Sequence, residues 1–541
     1  MCGIAGFIDF NNTSSAEILK KATDTLAHRG PDGCGYNFFQ KHNYQIGLGH
    51  RRLSIIDLTN AGAQPMIYQQ SIIVFNGEIF NYASIKKTLE DKGHQFIGHS
   101  DTEVILHAYA EWGSEALQRF IGMFSLVIFD EAKQKLFACR DRAGIKPFFY
   151  YWKNGLFIFG SELKAIMQHP GFTKEINVDA AAAFMQYGYV PAQHCIFNDA
   201  YKLKAGFYLE LDLTTKKIHT QQYWNVYDAY NKPPIKISLP DAITETENLL
   251  TNAFQYRMVS DVPVGVFLSG GYDSSCVTAL LQKDSTEKIK TFSIGVADAR
   301  LNEAPYAKQI AAHLGTDHTE HYCTEKEALE ILPSLPLFYD EPFADSSAIP
   351  TMLVSKIAKE KVKVALSADA GDEIFAGYNR YDYIMKYGKK IQSILPSLRK
   401  GFAAIMDTIP ANSIPVFNKK HLFQNRYNKL KMFLKDPSEK NIMLGITQQI
   451  NDNDISTLFK TPIVKLNSLF DSNELTNDTY SVLNFMLAID YQTYLPDDIL
   501  QKVDRATMSV GLEGREPFLD HRIIEWAAQL PMEYKYNKGN K

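Results

Sequence analysis

The sequence has no run approaching 18 apolar residues, so no membrane-spanning helix is expected. Nor does it open on a basic segment followed by a long apolar one, the pattern of an export signal. Cysteine is sparse. The six residues Cys2, Cys34, Cys139, Cys195, Cys276 and Cys323 form no C-x-x-C pair, which argues against a disulfide framework and a cysteine-rich zinc site. A charge excess of either sign is also missing. A balance of −4 and a pI near 6.4 leave no footprint for nucleic acid or for a membrane surface. No internal repeat and no low-complexity tract occur. What remains is a cytosolic, ordinarily composed chain, 45% hydrophobic and 22% charged, whose 541 residues exceed what one core holds.

The first part reads as α+β with antiparallel strands. Strands are predicted at 2–10, 45–49, 72–75, 124–129, 136–140, 148–152 and 156–160. Helices are predicted over 15–28, 83–92 and from 101 to 112, the last opened by a capping box in Ser100-Asp101-Thr102-Glu103. The run His28-Arg29-Gly30-Pro31-Asp32-Gly33 reads as a loop. Lys232-Pro233-Pro234 marks a linker, giving domains at 1–210 and 239–541 with 211–238 between them. The second part alternates strand and helix: strands 262–268, 289–294 and 362–366, helices 273–282, 303–314 and 349–359. That alternation predicts a parallel, doubly wound sheet. Residues from 388 to about 493 read as mainly helical.

Chemistry gathers in two places. Cys2 follows the initiator methionine, and removal of Met1 would give it a free α-amine beside its own thiol. An α-amine titrates near pH 8 and a free thiol near 8.5, so one group can serve the other as base. Asn76 and Gly77, at a strand end, could hold an oxyanion through a side-chain and a backbone N–H. Arg52 could grip a substrate carboxylate and Asp101 an ammonium. Each alone has a plainer meaning: a buried cysteine, a hairpin turn, solvated charges, a helix cap. His28 reads as structural.

The second place is Ser269-Gly270-Gly271-Tyr272-Asp273-Ser274-Ser275, set between a buried strand and a helix. Its glycines, hydroxyls and helix N-terminus suit phosphate, and Asp273 could hold Mg²⁺ against pyrophosphate. The pattern G-x-x-x-x-G-K-[ST] is absent. An acidic cluster, Asp369, Asp372 and Glu373, lies farther on; its plain reading is a helix N-terminus complementing its dipole.

The segments MCGIAGF, HRGPD, HRRLSIIDL, FNGEIFNY, HSDTEV and DRAGIKPFFY resemble the class II glutamine amidotransferase domain. That resemblance implies a four-layer αββα N-terminal-nucleophile hydrolase. It makes Cys2 the nucleophile, Asn76 and Gly77 the oxyanion hole, and Arg52, Asn76, Glu78 and Asp101 the glutamine-binding residues. The serine-glycine run resembles the PP-loop of ATP pyrophosphatases. With VALSADAGDE, FAGY, KVDR and EGREPFLD, the whole order of motifs is similar to the glutamine-hydrolysing asparagine synthetase family. This second resemblance implies ATP bound by Leu268, Ser269, Gly270, Gly271, Asp273, Ser274, Ser275, Ile294, Ser367 and Ala368. It implies Mg²⁺ on Asp273 and Asp372, and an acceptor or adenylate site at Asp369, Asp372 and Glu373.

The implied reaction hydrolyses glutamine to ammonia and adenylates aspartate with Mg²⁺-ATP, giving asparagine, AMP and pyrophosphate. Departures at Tyr272, Asp369, Ala370, Gly514 and Glu516, near the acceptor side, leave open another carboxylate, such as a surface-glycan uronic acid. The family continues past Lys541 into further helices that carry a lysine for the phosphate chain. A chain lacking that tail is expected to be a fragment. A glutaminase or interaction protein with an impaired second site is the other reading. A homodimer is left open.

Overall fold

The computed structural model describes residues 1–541 apart from 301, 410, 415–422, 465, 467–473, 476–480, 538, 540 and 541. Parts of the stretch expected to be helical, and the terminal Asn540 and Lys541, therefore lie outside the described residues. No described helix is long and apolar enough to cross a membrane.

In the N-terminal part, β1 (Gly3–Asp9), β2 (Gly33–Gln40), β3 (Gln45–Arg52), β4 (Met66–Tyr68), β5 (Ser71–Ile79), β6 (Gly122–Asp130), β7 (Lys135–Arg140), β8 (Phe149–Lys153), β9 (Leu156–Gly160), β10 (Ala200–Lys202), β11 (Phe207–Asp212) and β12 (Lys217–Gln222) form two antiparallel sheets. Their orders are β10-β8-β9-β1-β3-β2 and β12-β11-β7-β6-β5-β4. Side chains alternate across a strand, and the sequence uses both faces. In β5, Ile72 and Val74 point into the gap between the sheets, where they join Ile4, Ile8, Ile46, Leu48, Val127 and Phe129. Ile73 and Phe75 point the other way, onto Ile85, Leu89, Val104 and Ile105 of the helices Tyr82–Glu90 and Asp101–Trp112. The far face of the first sheet is covered by Ala16–Asp24 and Val178–Tyr187. This is the αββα layering expected.

Three local expectations change. Residues 33–40 are a strand, an edge position whose half-exposed side chains show no apolar alternation. Residues 211–222, taken as the start of a linker, pair as β11 and β12 in the second sheet. The helix Val226–Tyr230 then buries Val226, Tyr227, Ala229 and Tyr230 in the core of the C-terminal part, so the connecting segment shrinks to 231–238. Finally, Ser100 does cap the helix Asp101–Trp112 by accepting from Thr102 N at 3.1 Å. Glu103 does not complete a box; its carboxylate accepts from Ile97 N and Gly98 N instead.

The C-terminal part is built on β13 (Val264–Phe267), β14 (Lys290–Val296), β15 (Asp317–Cys323), β16 (Val364–Leu366) and β17 (Glu513–Arg515), all parallel, in the order β15-β14-β13-β16-β17. The chain runs outward from β13 to β14 and β15 on one side, then returns to β16 and β17 on the other. The crevice at the carboxyl ends of β13 and β16 is therefore the topological switch point, where ligands bind in open α/β sheets. The loops leaving those two strands carry residues 268–275 and 367–373. Polar β15 (DHTEHYC) escapes the sequence pattern because it is an edge strand.

Candidate active site

Cys2 is buried just before β1. Its backbone N donates to Asn76 Oδ1 at 2.9 Å, and its thiol lies 3.9 Å from the carbonyl of Leu53, next to Arg52. The other end of Asn76 is unusual: its Nδ2 is fully buried and has no partner. An amide donor left unsatisfied at a cysteine costs about 1–3 kcal/mol, which a tetrahedral oxyanion would recover. Gly77 follows in β5. A Cβ there would stand 2.0 Å from the carbonyl of Met123, so only glycine lets the two strands approach. Burial pushes the Cys2 thiol up to about 11. In the chain carrying Met1 the Cys2 nitrogen is an amide, so the thiol has no base in its own residue. The Met1 ammonium pairs with Glu513 of β17.

Glu78 and Asp101 flank this point. Burial raises both carboxyls, Asp101 to about 6 and Glu78 well above the usual carboxylate range, where Glu513 and Asp101 add like charge. Glu78 Oε2 is buried without a partner, and Asp101 accepts from Ile79 N at 3.0 Å. Two acids held this way, when ionised, could receive an ammonium group. Arg52 spends two of its five N–H donors on the carbonyls of Asp57 and of Thr59, the latter at 2.8 Å. It thus holds the loop after it, the loop whose Leu53 carbonyl lies beside the Cys2 thiol. His28 is bound to Glu162 at 3.2 Å and packs on Phe338, a structural role.

The run 269–275 leaves β13 and enters a helix. Gly270 has φ +90° and sits so close to Ala307 N, 2.7 Å from where its Cβ would be, that a side chain is excluded. Ser269 Oγ and Ser274 Oγ are 3.0 Å apart, Gly271 N donates to Ser269 Oγ at 3.2 Å, and Ser275 Oγ donates to Gly271 O at 2.6 Å. Gly271 starts the helix Tyr272–Lys283 with no side-chain cap, leaving a positive N-terminus facing the crevice. The Leu268 N–H is used within the sheet, by Phe292 O at 2.9 Å. Ile294 lies in β14, and Ala368 packs at the edge of the main core.

Asp273 rises to about 6, through burial and then the charges of Asp372 and Asp369. Its carboxylate would stand 2.4 Å from a Cβ on Gly371, so it abuts the turn that carries Asp372. Among the described residues no cluster of three or more histidine, cysteine or carboxylate groups could hold a metal by itself. Asp273, raised by burial and then by the charge of neighbouring Asp372, forms with Asp372 a pair that fits Mg²⁺, which takes one or two protein carboxylates and completes its shell with phosphate oxygens and water. Ser367 Oγ donates to Asp369, and Ser367 N donates to Arg515 O at 2.8 Å. Glu373 is buried, accepts from Tyr378 OH at 2.7 Å and is pushed up to about 8 by burial. Ala370 has φ +82°, a left-handed conformation that favours glycine.

Sequence reasoning missed what lies between the two places. Arg29 is fully buried. Its Nε donates to the carbonyl of Cys2 at 3.1 Å, and its two terminal nitrogens grip Asp504 at 2.8 and 3.0 Å. Glu162 joins it at 2.9 Å and pairs with Arg505 at 2.8 Å. Burial opposes the charged forms of Asp504 and Glu162, but these guanidinium groups hold both below the usual carboxylate range. Lys502, two residues before Asp504, bonds Asp345 at 2.9 Å and faces Asp369. The only sequence signal was that Arg29 falls inside the run HRGPD and Lys502, Asp504 and Arg505 inside KVDR; Glu162 and Asp345 lie in neither.

Residues 245–541 match the family described as asparagine synthase, and residues 1–224 match the glutamine amidotransferase domain. The chain belongs to the asparagine synthase family. It is 38% identical over 422 residues to a putative glutamine-hydrolysing asparagine synthetase 2 of Methanocaldococcus jannaschii, covering 73% of this chain and 80% of that protein. It is 32% identical over 551 residues to glutamine-hydrolysing asparagine synthetase 1 of Bacillus subtilis, covering 100% of this chain and 82% of that protein. It is also 25% identical over 597 residues to "Amidase chry2" of Gibberella zeae, covering 100% and 84%. As an asparagine synthase family member it is a carbon–nitrogen ligase that takes glutamine as nitrogen donor and ATP as co-substrate.

Proposed function

We propose that this family member hydrolyses glutamine at Cys2 and uses the ammonia to amidate a carboxylate, aspartate, that ATP has activated as an acyl-adenylate. The observation that carries the reading is the shared wall: Arg29 bonds the Cys2 carbonyl on one side and Asp504 on the other, two residues from the Lys502 that faces Asp369.

Loss of Met1 turns the Cys2 nitrogen into an amine that takes the thiol proton. The thiolate attacks the glutamine carboxamide, whose oxyanion is received by Asn76 Nδ2 and the Gly77 N–H. The amine returns the proton to the departing nitrogen, and water cleaves the thioester to glutamate. Arg52 holds the substrate carboxylate, and Glu78 with Asp101 its ammonium. In the other domain the acceptor carboxylate attacks the α-phosphorus and pyrophosphate leaves. Ammonia then attacks the acyl carbon and AMP leaves. Mg²⁺, held by Asp273 and Asp372 beside the phosphates, would supply charge neutralisation there. A buried route between the sites would keep ammonia unprotonated.

A second acceptor reading has an observation of its own. Glu516 is buried next to Lys146 and Asp369 with Oε2 unpartnered, and burial lifts it to about 7. An extra acid at the acceptor side alters which carboxylate fits, and the likeness to a protein named an amidase points the same way. Pyrophosphate release with ATP, ammonia and a panel of carboxylates tests the choice. Aspartate should stimulate release most. A larger response to a uronic acid would replace aspartate, and no response to any acceptor would leave a glutaminase.

A further inference from the structure

The structure assigns a positioning role to Asp261 and His99: they clasp residues 53–59, the loop that follows Arg52, onto the ATP-binding domain. This rests on the reading of Cys2 and Arg52 as parts of the glutamine site. The loop touches that site at both ends, through the Leu53 carbonyl beside the Cys2 thiol and through the Arg52 bonds to the Asp57 and Thr59 carbonyls.

Left alone, the loop would not keep its shape. Asp57 has φ +54°, a left-handed conformation that a non-glycine residue holds only when its surroundings over-determine it. Its buried carboxylate accepts from Thr59 N at 3.1 Å, Thr59 Oγ1 at 2.5 Å and His99 N at 3.2 Å. The other half of the grip comes from across the domain boundary. Asp57 N donates to Asp261 Oδ2 at 2.9 Å, and Asp261 N donates to the Ile55 carbonyl at 3.0 Å. His99 bridges the two acids, with Nε2 3.3 Å from Asp261 Oδ2 and Nδ1 3.6 Å from Asp57 Oδ2.

The anchor behind Asp261 is firm. Arg515 Nη1 donates to the carbonyls of Arg257 and Val259, both at 2.7 Å, and Arg515 itself ends β17. On the other flank, a Cβ on Gly98 would stand 2.8 Å from Asp57 Oδ2, so the loop before Asp101 packs directly on the clasp. The side chains of His99 and Asp261 are 55% and 43% exposed, so their charge attraction is screened. The bond from Asp57 N to the Asp261 carboxylate and the bond from Asp261 N to the Ile55 carbonyl carry the hold.

The test is glutamate release from glutamine by the full chain, which needs no acceptor. Asp261→Ala should raise KM for glutamine on the order of tenfold through two lost hydrogen bonds, with kcat at saturating glutamine within about twofold. Ammonia-dependent pyrophosphate release should not change. Asp261→Asn, which keeps an oxygen for Asp57 N and the same shape, should recover most of the KM. His99→Gln should shift KM in the same direction. An unchanged KM in Asp261→Ala, or a fall in kcat and in ammonia-dependent release at constant KM, would overturn the clasp and leave a purely structural contact. A parent chain that releases no glutamate, or a Cys2→Ala chain that still does, would overturn the site reading and the clasp with it.

Discussion

Asn76 offers the sharpest test of the first site, because its two ends have separate tasks. Oδ1 accepts from Cys2 N at 2.9 Å, and Nδ2 is a buried donor without a partner. Asn76→Asp keeps an oxygen for Cys2 and replaces only the donor. Removing one oxyanion donor costs about 2.7–4 kcal/mol, or roughly 10²–10³ in kcat. The oxyanion exists only in the transition state, so KM for glutamine should move little. Asn76→Ala should cost at least as much. It also leaves the buried Cys2 N–H unpaired, at about 1–3 kcal/mol, so its melting temperature should drop while that of Asn76→Asp stays closer to the parent. Initial rates of glutamate release over a glutamine series give both constants, and ammonia-dependent pyrophosphate release serves as the folding control. A loss in kcat below about tenfold, or a loss confined to KM, would refute the oxyanion role.

Two other outcomes follow from the charge arrangement. Burial lifts Asp101 to about 6, and a substrate ammonium prefers the ionised carboxylate. Glutamine binding to a Cys2→Ala chain, measured by calorimetry, should therefore weaken as pH falls through this value, about tenfold per unit below it, while Glu78, held well above the usual carboxylate range, adds a second dependence at higher pH; Asp101→Asn should bind weakly throughout. At the second site, repulsion from Asp372 and Asp369 helps lift Asp273 to about 6, so its charged form is the destabilised one. Asp273→Asn should leave the melting temperature at neutral pH unchanged or higher and keep glutamate release. It should reduce ATP-dependent pyrophosphate release roughly a hundredfold.

How far the molecule could be read from its residues depends on the range of each interaction. Cys2 opens the chain and the Ser269–Ser275 run is contiguous, so these could be picked out locally and the resemblance of the motifs gave them their expected roles; Asn76, expected at a strand end, lies inside β5. The layering followed from alternation, as in Ile72 to Phe75 of β5. Edge strands β2 and β15 were silent because neither buries a face: every side chain in both is half-buried or exposed, so no apolar alternation is required. The extent of the first domain was misjudged because β12 (KIHTQQ) is almost wholly polar. Arg29 and Asp504 lie 475 positions apart, and Asp57 and Asp261 lie 204 apart. Either acid reads as solvated on its own, since nothing local tells a charge which distant partner will accompany it into the interior.

The central claim is that one chain makes ammonia at Cys2 and spends it at the ATP site. The most direct measurement compares ATP-dependent amide formation from glutamine and from ammonium salt in the Cys2→Ala chain. The account predicts that glutamine no longer supports the reaction while ammonia supports it at close to the parent rate. Loss of both activities in a folded protein, or survival of the glutamine-dependent one, would contradict it.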